Sequence, residues 1–100
     1  MKTVIVEYTV RTDYVETNKK NIQAVMDELH SMGDVGVQYF ASLKDDGKSF
    51  AHIVVQRDEE AAQVMPKLAS FKHFREQLNT GLEVKPQRTD MDLVGKSFDL

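Results

Sequence analysis

His52 is the side chain of this sequence best suited to acid–base chemistry, and it lies in the middle of an apolar, β-branched run at residues 49–57. An imidazole with a pKa near neutrality could take a proton from a phenol or donate a hydrogen bond to a substrate oxygen. Glu7 lies in a similar run near the start of the chain, and its carboxylate could orient His52 or accept a proton itself. The alternative interpretation makes His52 a hydrogen-bonded histidine within an interface, and makes Glu7 the ion-pair partner of Arg11.

Four apolar or aromatic residues, together with Arg11, are candidates for contact with a small aromatic ligand. Tyr39 and Phe40 are neighbours in a predicted strand, and whichever of them points into a cavity could stack on the ring of a ligand. Phe50 and Val54 belong to the same run as His52 and share its side of the strand, because side chains alternate along an extended chain. Packing in a core or an interface is the alternative interpretation for these residues.

Several classes of site are disfavoured by the sequence. The 100 residues include no cysteine, and the three histidines lack the i, i+4 spacing of a helical metal site. The sequence also contains no glycine-rich phosphate loop, hydroxyl nucleophile motif or paired-carboxylate motif. We therefore predict that the protein uses neither a metal ion nor a cofactor.

Charge and hydropathy limit the partners of the chain. The net charge of −3 and the scattered Lys and Arg residues predict no nucleic-acid partner. The apolar run at the start of the chain ends at Glu7, which makes it too short for a signal peptide or a membrane span. The absence of cysteine fits a reducing compartment. We therefore expect a cytoplasmic protein with no membrane association.

The elements that would position these side chains follow from hydrophobic periodicity. Residues 4–11 alternate between apolar and polar side chains, which predicts a first strand. A first helix is predicted by apolar side chains at i, i+3, i+4, i+7 and i+10, namely Ile22, Val25, Met26, Leu29 and Met32. Gly33 is the predicted stop of this helix. The β-rich runs 35–43 and 49–57 flank a short Asp/Gly loop, and they predict an antiparallel hairpin.

The second half of the chain predicts a divided helix and a short strand. Pro66 interrupts the helical pattern and divides it into two pieces. Ser70 is a candidate cap for the second piece. Residues 82–85 predict a fourth strand that Pro86 either ends or confines to a sheet edge. A final extended segment is predicted at residues 93–98.

The predicted order β-α-β-β-α-β describes one α+β domain over residues 1–100, with a ferredoxin-like split βαβ layout. In this layout the sheet is antiparallel, the first and third strands are central, and both helices cover one face. We expect the other face to carry alternate residues of the two central strands: Ile5, Glu7, Thr9 and Arg11 from the first, and Phe50, His52, Val54 and Gln56 from the third. Such a partly apolar face would be covered by a second copy of the chain, so we predict a homodimer with a cavity between the sheets.

The sequence resembles the dimeric α+β barrel superfamily, and more closely the small proteins of the antibiotic-biosynthesis-monooxygenase type. The resemblance spans nearly the whole chain and rests on four stretches: VIVEYTV at residues 4–10, NIQAVMDEL at 21–29, DDGKSFAHI at 45–53 and LASFKHF at 68–74. It implies that two ferredoxin-like subunits pack sheet against sheet to form a dimeric α+β barrel. It also implies that the extended C-terminal segment reaches toward the partner subunit.

The same resemblance implies a function. Enzymes of this type oxygenate activated phenolic or anthrone-like substrates without metal or flavin, while relatives degrade haem or only bind small molecules. By this resemblance the chain would be a cofactor-independent monooxygenase for a small phenol- or quinol-like molecule, with His52 as base or hydrogen-bond partner and Glu7 and Tyr39 in support. Tryptophan often lines the pockets of the enzymes, and this sequence has none. The alternative is therefore a non-catalytic, small-molecule-binding or stress-related dimer.

Overall fold

The computed structural model describes residues 1–99, which form a four-stranded antiparallel sheet with two helices on one face. The elements are β1 Lys2–Val10, α1 Val15–Ser31, β2 Val37–Leu43, β3 Ser49–Gln56, α2 Ala69–Leu78 and β4 Leu82–Asp92. The strand order is β2-β3-β1-β4, so β1 and β3 are central as predicted. The predicted ferredoxin-like α+β fold class is therefore confirmed.

Helix α1 packs one apolar stripe against the sheet. Its buried residues are spaced three and four apart: Val15, Asn18, Ile22, Val25 and Leu29. This spacing places them on a single face, so the stripe begins two turns before the first residue used to predict the helix. The helix ends where predicted, since Gly33 follows its last turn with a positive φ of 74°.

The hairpin between β2 and β3 forms where the Asp/Gly loop predicts it. Gly47 has a φ of 77°, a left-handed conformation that glycine adopts without strain. The Asp46 carboxylate accepts hydrogen bonds from Ser49 Oγ and from the backbone N–H groups of Lys48 and Ser49. These hydrogen bonds, from Ser49 foremost, lower the pKa of Asp46 to about 2. Bonds within the loop thus hold the turn, and Lys48 also ties it to the sheet through its carbonyl to Val10 N–H and its Nζ to Glu83.

The second helical region is divided at Pro66, as predicted. Two short 3-10 turns, Ala61–Gln63 and Met65–Lys67, precede α2, and Pro66 lies within the second of them. The predicted capping role of Ser70 is wrong, because Leu68 occupies the N-cap position. Ser70 instead donates hydrogen bonds from Oγ and from its backbone N–H to Glu28 Oε1, at 2.6 and 3.0 Å. These bonds tie the start of α2 to α1.

Strand β4 is longer than predicted. It continues through Pro86 to Asp92 at the edge of the sheet, so the prediction that Pro86 confines the strand to an edge is confirmed, whereas an end of the strand at residue 85 is wrong. The pairing with β1 is irregular between Glu7 and Thr9, which is where Pro86 lies. An edge strand with a local irregularity tolerates a residue that has no N–H group to donate. The predicted extended segment at 93–98 has no regular secondary structure.

The predicted facing of β3 is also wrong. The register pairs Val4 with Val54, Val6 with His52, and Tyr8 with Phe50. Directly opposed residues of antiparallel strands point to the same face, so these β3 side chains lie under the helices and not on the open face. Both faces of β3 are apolar, since Ile53 and Val55 alternate with them. The residue pattern of β3 therefore does not show which of its two faces is buried. Only the pairing with β1 decides which face lies under the helices.

Candidate functional site

Four polar side chains form a continuous hydrogen-bonded row between the sheet and the helices. Asn18 Nδ2 donates to the Tyr8 hydroxyl at 2.8 Å, and this hydroxyl lies 2.6 Å from His52 Nε2. The other ring nitrogen of His52, Nδ1, lies 2.5 Å from the Tyr39 hydroxyl. We call Asn18, Tyr8, His52 and Tyr39 the polar row. Its members come from α1, β1, β3 and β2, so only the assembled fold brings them together.

The polar row is uncharged. Burial lowers the pKa of His52 to about 4, so its imidazole is neutral at pH 7. Burial also raises the pKa of Tyr8 and of Tyr39 well above the ordinary value, so both phenols keep their protons. A neutral imidazole has one N–H donor and one acceptor nitrogen. His52 therefore donates to one of the two tyrosines and accepts from the other.

Aromatic rings enclose the imidazole of His52. The ring of Tyr39 stacks on it with centroids 5.7 Å apart, and the ring of Tyr8 lies at 5.2 Å. Phe74 from α2 contributes a third ring at 5.4 Å, and Phe71 stacks on Phe74. Only 5% of His52 is exposed, and this enclosure is the physical cause of its lowered pKa.

A cavity of about 720 Å³ lies between the sheet and α2, next to the polar row. Its walls include Val4, Val6 and Val54 from the sheet and Met65, Phe71 and Phe74 from the helical side. Three members of the polar row, Tyr8, His52 and Tyr39, also line it. Pockets for small molecules commonly have roughly 300–1,000 Å³, apolar walls and a few polar groups. This cavity has all three properties.

Charged side chains surround the cavity where it opens to solvent. They are Lys2, Lys72, Arg75, Glu76 and Arg88. Asp90 neutralises part of this rim, because its carboxylate lies 3.2 Å from Lys2 Nζ and 2.7 Å from Arg88 Nε. The guanidinium of Arg75 lies over the Phe71 ring, 5.8 Å from its centroid. The four cationic side chains outnumber the two carboxylates, Glu76 and Asp90, which favours an anionic group at this end of a ligand.

Glu7 lies on the open face, away from His52. It pairs with Ala51 in the register, so its side chain points to the side opposite His52, the next residue of β3. Its carboxylate forms an ion pair with Lys44 at 2.8 Å. The predicted pairing of Glu7 with His52 is therefore wrong, and so is its alternative pairing with Arg11. The first prediction depended on the facing of β3. The second assumed that Glu7 and Arg11, which are near each other along the chain, would pair.

The other predicted site residues fall into two groups. Tyr39 and Val54 line the cavity beside His52. Phe40 lies on the open face and is 49% exposed, while Phe50 is buried in the core against Tyr8. Arg11 lies beyond the end of β1, where it donates to the Thr80 carbonyl at 2.6 Å and pairs with Asp13. None of these last three lines the cavity.

Sequence reasoning missed two members of the polar row, Asn18 and Tyr8. Asn18 is fully buried, and it lies four residues before Ile22 on the apolar stripe of α1. A polar side chain at an inward position of an amphipathic helix is a signal that the sequence already contained. Tyr8 is one of the β1 residues that face the helices, and a buried hydroxyl needs a hydrogen-bond partner for the same reason.

No arrangement for a metal ion is found in the described part of the chain. Within residues 1–99, no three His, Asp or Glu side chains come together as a metal-binding group would require. None of the helices in these residues is long and apolar enough to cross a membrane.

Comparison with known proteins supports the fold. No family model matches the sequence, and no curated protein matches it. The crystal structure of an antibiotic biosynthesis monooxygenase superposes with a TM-score of 0.79 at 13% identity, covering 95% of this chain and 100% of that one. A Mycobacterium tuberculosis protein gives 0.80 at 15% identity, covering 97% and 98%. A Pseudomonas aeruginosa protein gives 0.76 at 19% identity, covering 94% of each chain.

These identities establish similarity of fold alone. The structural neighbours include proteins of the antibiotic-biosynthesis-monooxygenase type, with the same ferredoxin-like layout. The resemblance found in the sequence is thereby confirmed at the level of fold.

Proposed function

We propose that this protein binds a small phenol- or quinol-like aromatic molecule in the cavity beside the polar row and oxygenates it with O₂, without a cofactor. The observation that carries the proposal is the combination of a largely apolar cavity of about 720 Å³ with Tyr39 and His52, which are hydrogen-bonded to each other, in its wall. The rings of Phe71 and Phe74 offer stacking surfaces for a flat ligand. The fold shared with an antibiotic biosynthesis monooxygenase supports the same reaction class.

The polar row suits the stabilisation of an oxyanion better than the removal of a proton. His52 has a pKa of about 4 and no carboxylate partner, so it is a weak base at neutral pH. A hydrogen bond donated by Tyr39 would stabilise a phenolate or enolate oxygen among the apolar walls of the cavity. This role replaces the direct proton abstraction by His52 that the sequence suggested.

The reaction balances with O₂ as the only oxidant. An anthrone-like substrate loses a proton from its CH₂ group to water at the open mouth, and the resulting anion keeps its negative charge mainly on oxygen. The carbanion carbon gives electrons to O₂ and forms a C–O bond, which yields a hydroperoxide after protonation. The hydroperoxide loses water and leaves a carbonyl group. One O₂ is consumed, the CH₂ carbon is oxidised, and one water is released.

A second candidate is a binding protein that does not turn its ligand over. The low basicity of His52 favours it, as does the location of Glu7 on the far side of the sheet. In this case the cavity would hold the same class of aromatic molecule through stacking and one hydrogen bond from Tyr39.

We also propose that the open face mediates homodimerisation. Phe40 and Met91 are 49% and 38% exposed there, and Ile5 and Ile53 are only partly buried. A contiguous apolar patch of this kind is usually covered by a partner. A Phe40→Asp variant should be monomeric where the wild type is dimeric in light-scattering measurements. A dimer of normal mass in this variant would contradict the proposed interface.

Oxygen consumption with anthrone tests the proposed reaction. The wild type should consume one O₂ for each anthraquinone formed, and Tyr39→Phe should lower the rate roughly ten-fold or more. Tyr14→Phe is the matched control, because it removes the same hydroxyl from a buried tyrosine outside the polar row. Binding of anthrone without O₂ uptake would support the second candidate. No binding at all would contradict both.

A further inference from the structure

The hydrogen bonds of the polar row run in one direction, and Asn18 determines it. Asn18 is fully buried, its Nδ2 donates to the Tyr8 hydroxyl at 2.8 Å, and its Oδ1 has no partner within residues 1–99. The amide nitrogen can only donate, so the Tyr8 oxygen accepts at this contact and its own proton must go elsewhere. Asn18 is therefore the donor at its end of the row.

The donor of the first hydrogen bond then determines the donor of each following hydrogen bond in the row. The Tyr8 oxygen accepts from Asn18, and the acceptor for the Tyr8 proton is His52 Nε2, at 2.6 Å. A neutral imidazole that accepts at Nε2 carries its proton on Nδ1. Nδ1–H consequently donates to the Tyr39 oxygen at 2.5 Å. The Tyr39 proton remains, and no hydrogen bond within residues 1–99 uses it.

We propose that Tyr39 presents this proton to the ligand, and that Asn18, Tyr8 and His52 are positioning residues that keep Tyr39 a donor. The inference rests on the proposed function in one respect, since it takes the cavity as the place of the ligand. The ligand class that follows is an aromatic molecule whose inner end carries a strong hydrogen-bond acceptor, such as a phenolate, an enolate or a quinone carbonyl. The row therefore favours the ionised form of a phenol over its neutral form.

The effect of the Tyr39 hydroxyl on a bound phenol must be distinguished from the effects of the charged groups near it. On the α1 side, Asp27 and His30 share a groove with the Tyr39 ring. On the cavity side, the rim contributes Lys2, Lys72, Arg75, Glu76 and Arg88. These groups would change the ionisation of a bound phenol in wild type and in Tyr39→Phe alike. The difference between the two proteins therefore isolates the hydroxyl.

The first experiment determines the tautomer of His52 by NMR in ¹⁵N-labelled protein without ligand. We expect the Nδ1–H tautomer, which is the minor form of free histidine in water. The Nε2–H tautomer would overturn the inference. In Asn18→Leu the donor is lost, so Nε2–H should become populated. A spectrum of that variant with Nδ1–H alone would show that Asn18 does not set the direction.

The second experiment uses 4-nitrophenol, whose ionisation is visible in its absorption spectrum. The wild type should bind the phenolate roughly ten-fold to a hundred-fold more tightly than Tyr39→Phe does, because a hydrogen bond to a charged group is lost. Tyr14→Phe should bind it like the wild type. Equal binding of the phenolate by Tyr39→Phe would overturn the role of Tyr39. If anthrone is not oxygenated, the proposed reaction fails, while the tautomer and the phenolate preference still test this inference on their own.

Discussion

The two faces of the sheet satisfy their polar side chains in different ways. On the helix-covered face, Asn18, Tyr8, His52 and Tyr39 are uncharged and hydrogen-bond one another, and the first three are buried while Tyr39 is half-buried. On the open face, Glu7 and Lys44 form an ion pair in which both side chains are about half exposed, at 48% and 49%. Burial makes each hydrogen bond of the first face costly to lose, whereas water can replace the partners on the second. The chemistry of the molecule is therefore expected on the helix-covered face.

We expect the largest difference between the two faces in how much the packing of a single aromatic side chain contributes to stability. Phe74→Ala removes a ring that is 5% exposed and lies against His52 and Phe71, so it should lower the free energy of unfolding by about 3–5 kcal/mol. Phe40→Ala on the open face should cost about 1 kcal/mol or less in a monomer. Denaturant titration measures both. Equal losses at low protein concentration would contradict the assignment of the two faces.

Between about pH 7 and 5, above the range in which carboxyl groups with lowered pKa values such as Asp46 take up protons, the pH dependence of stability should come from His52 on the helix-covered face. The pKa of His52 is lowered from 6.5 to about 4 on folding, so between these values the unfolded chain binds a proton that the folded protein does not. The free energy of unfolding should therefore fall as the pH drops from about 7 toward 4, by about 3 kcal/mol in full. Denaturant titrations across this range should show the slope in wild type and in His30→Gln, which changes an exposed histidine. A slope that persists in His52→Leu would contradict the assignment.

The single hydroxyls of the two faces should differ by a smaller amount. Tyr8→Phe leaves Asn18 Nδ2 and His52 Nε2 without a partner, at a cost of about 1–3 kcal/mol. Thr9→Val removes the partly buried hydrogen bond to Ser49 on the other face, where we expect about 1 kcal/mol or less. Thermal or denaturant unfolding of both variants makes the comparison. A larger loss of stability in Thr9→Val than in Tyr8→Phe would contradict this comparison.

The smallest effect should come from the exposed ion pair. Glu7→Gln should change the free energy of unfolding by about 0.5 kcal/mol or less, because solvent screens the pair with Lys44. It should also leave the rate of anthrone oxygenation unchanged, since Glu7 faces away from the cavity. A large loss of activity in Glu7→Gln would show that Glu7 takes part in the functional site.

Local signals predicted the elements well. The alternation in β1, the Asp46 and Gly47 loop and the break at Pro66 all depend on neighbours along the chain, and all three agree with the structure. The predicted end of β4 is wrong, because whether a proline interrupts a strand depends on its place in the sheet. Pro86 lies in an edge strand at an irregular point of the pairing, where its missing N–H group is tolerated.

The order of elements, the ferredoxin-like class and the candidates His52 and Tyr39 were all predictable from the amino-acid sequence. The sequence could not determine which way β3 faces, because both sides of that strand are apolar and either facing would bury a similar surface. Pairing with β1 decided this, and with it the separation of His52 from Glu7. The polar row was likewise decided only by tertiary structure, since its four residues come from four elements and meet only after α1 packs on the sheet.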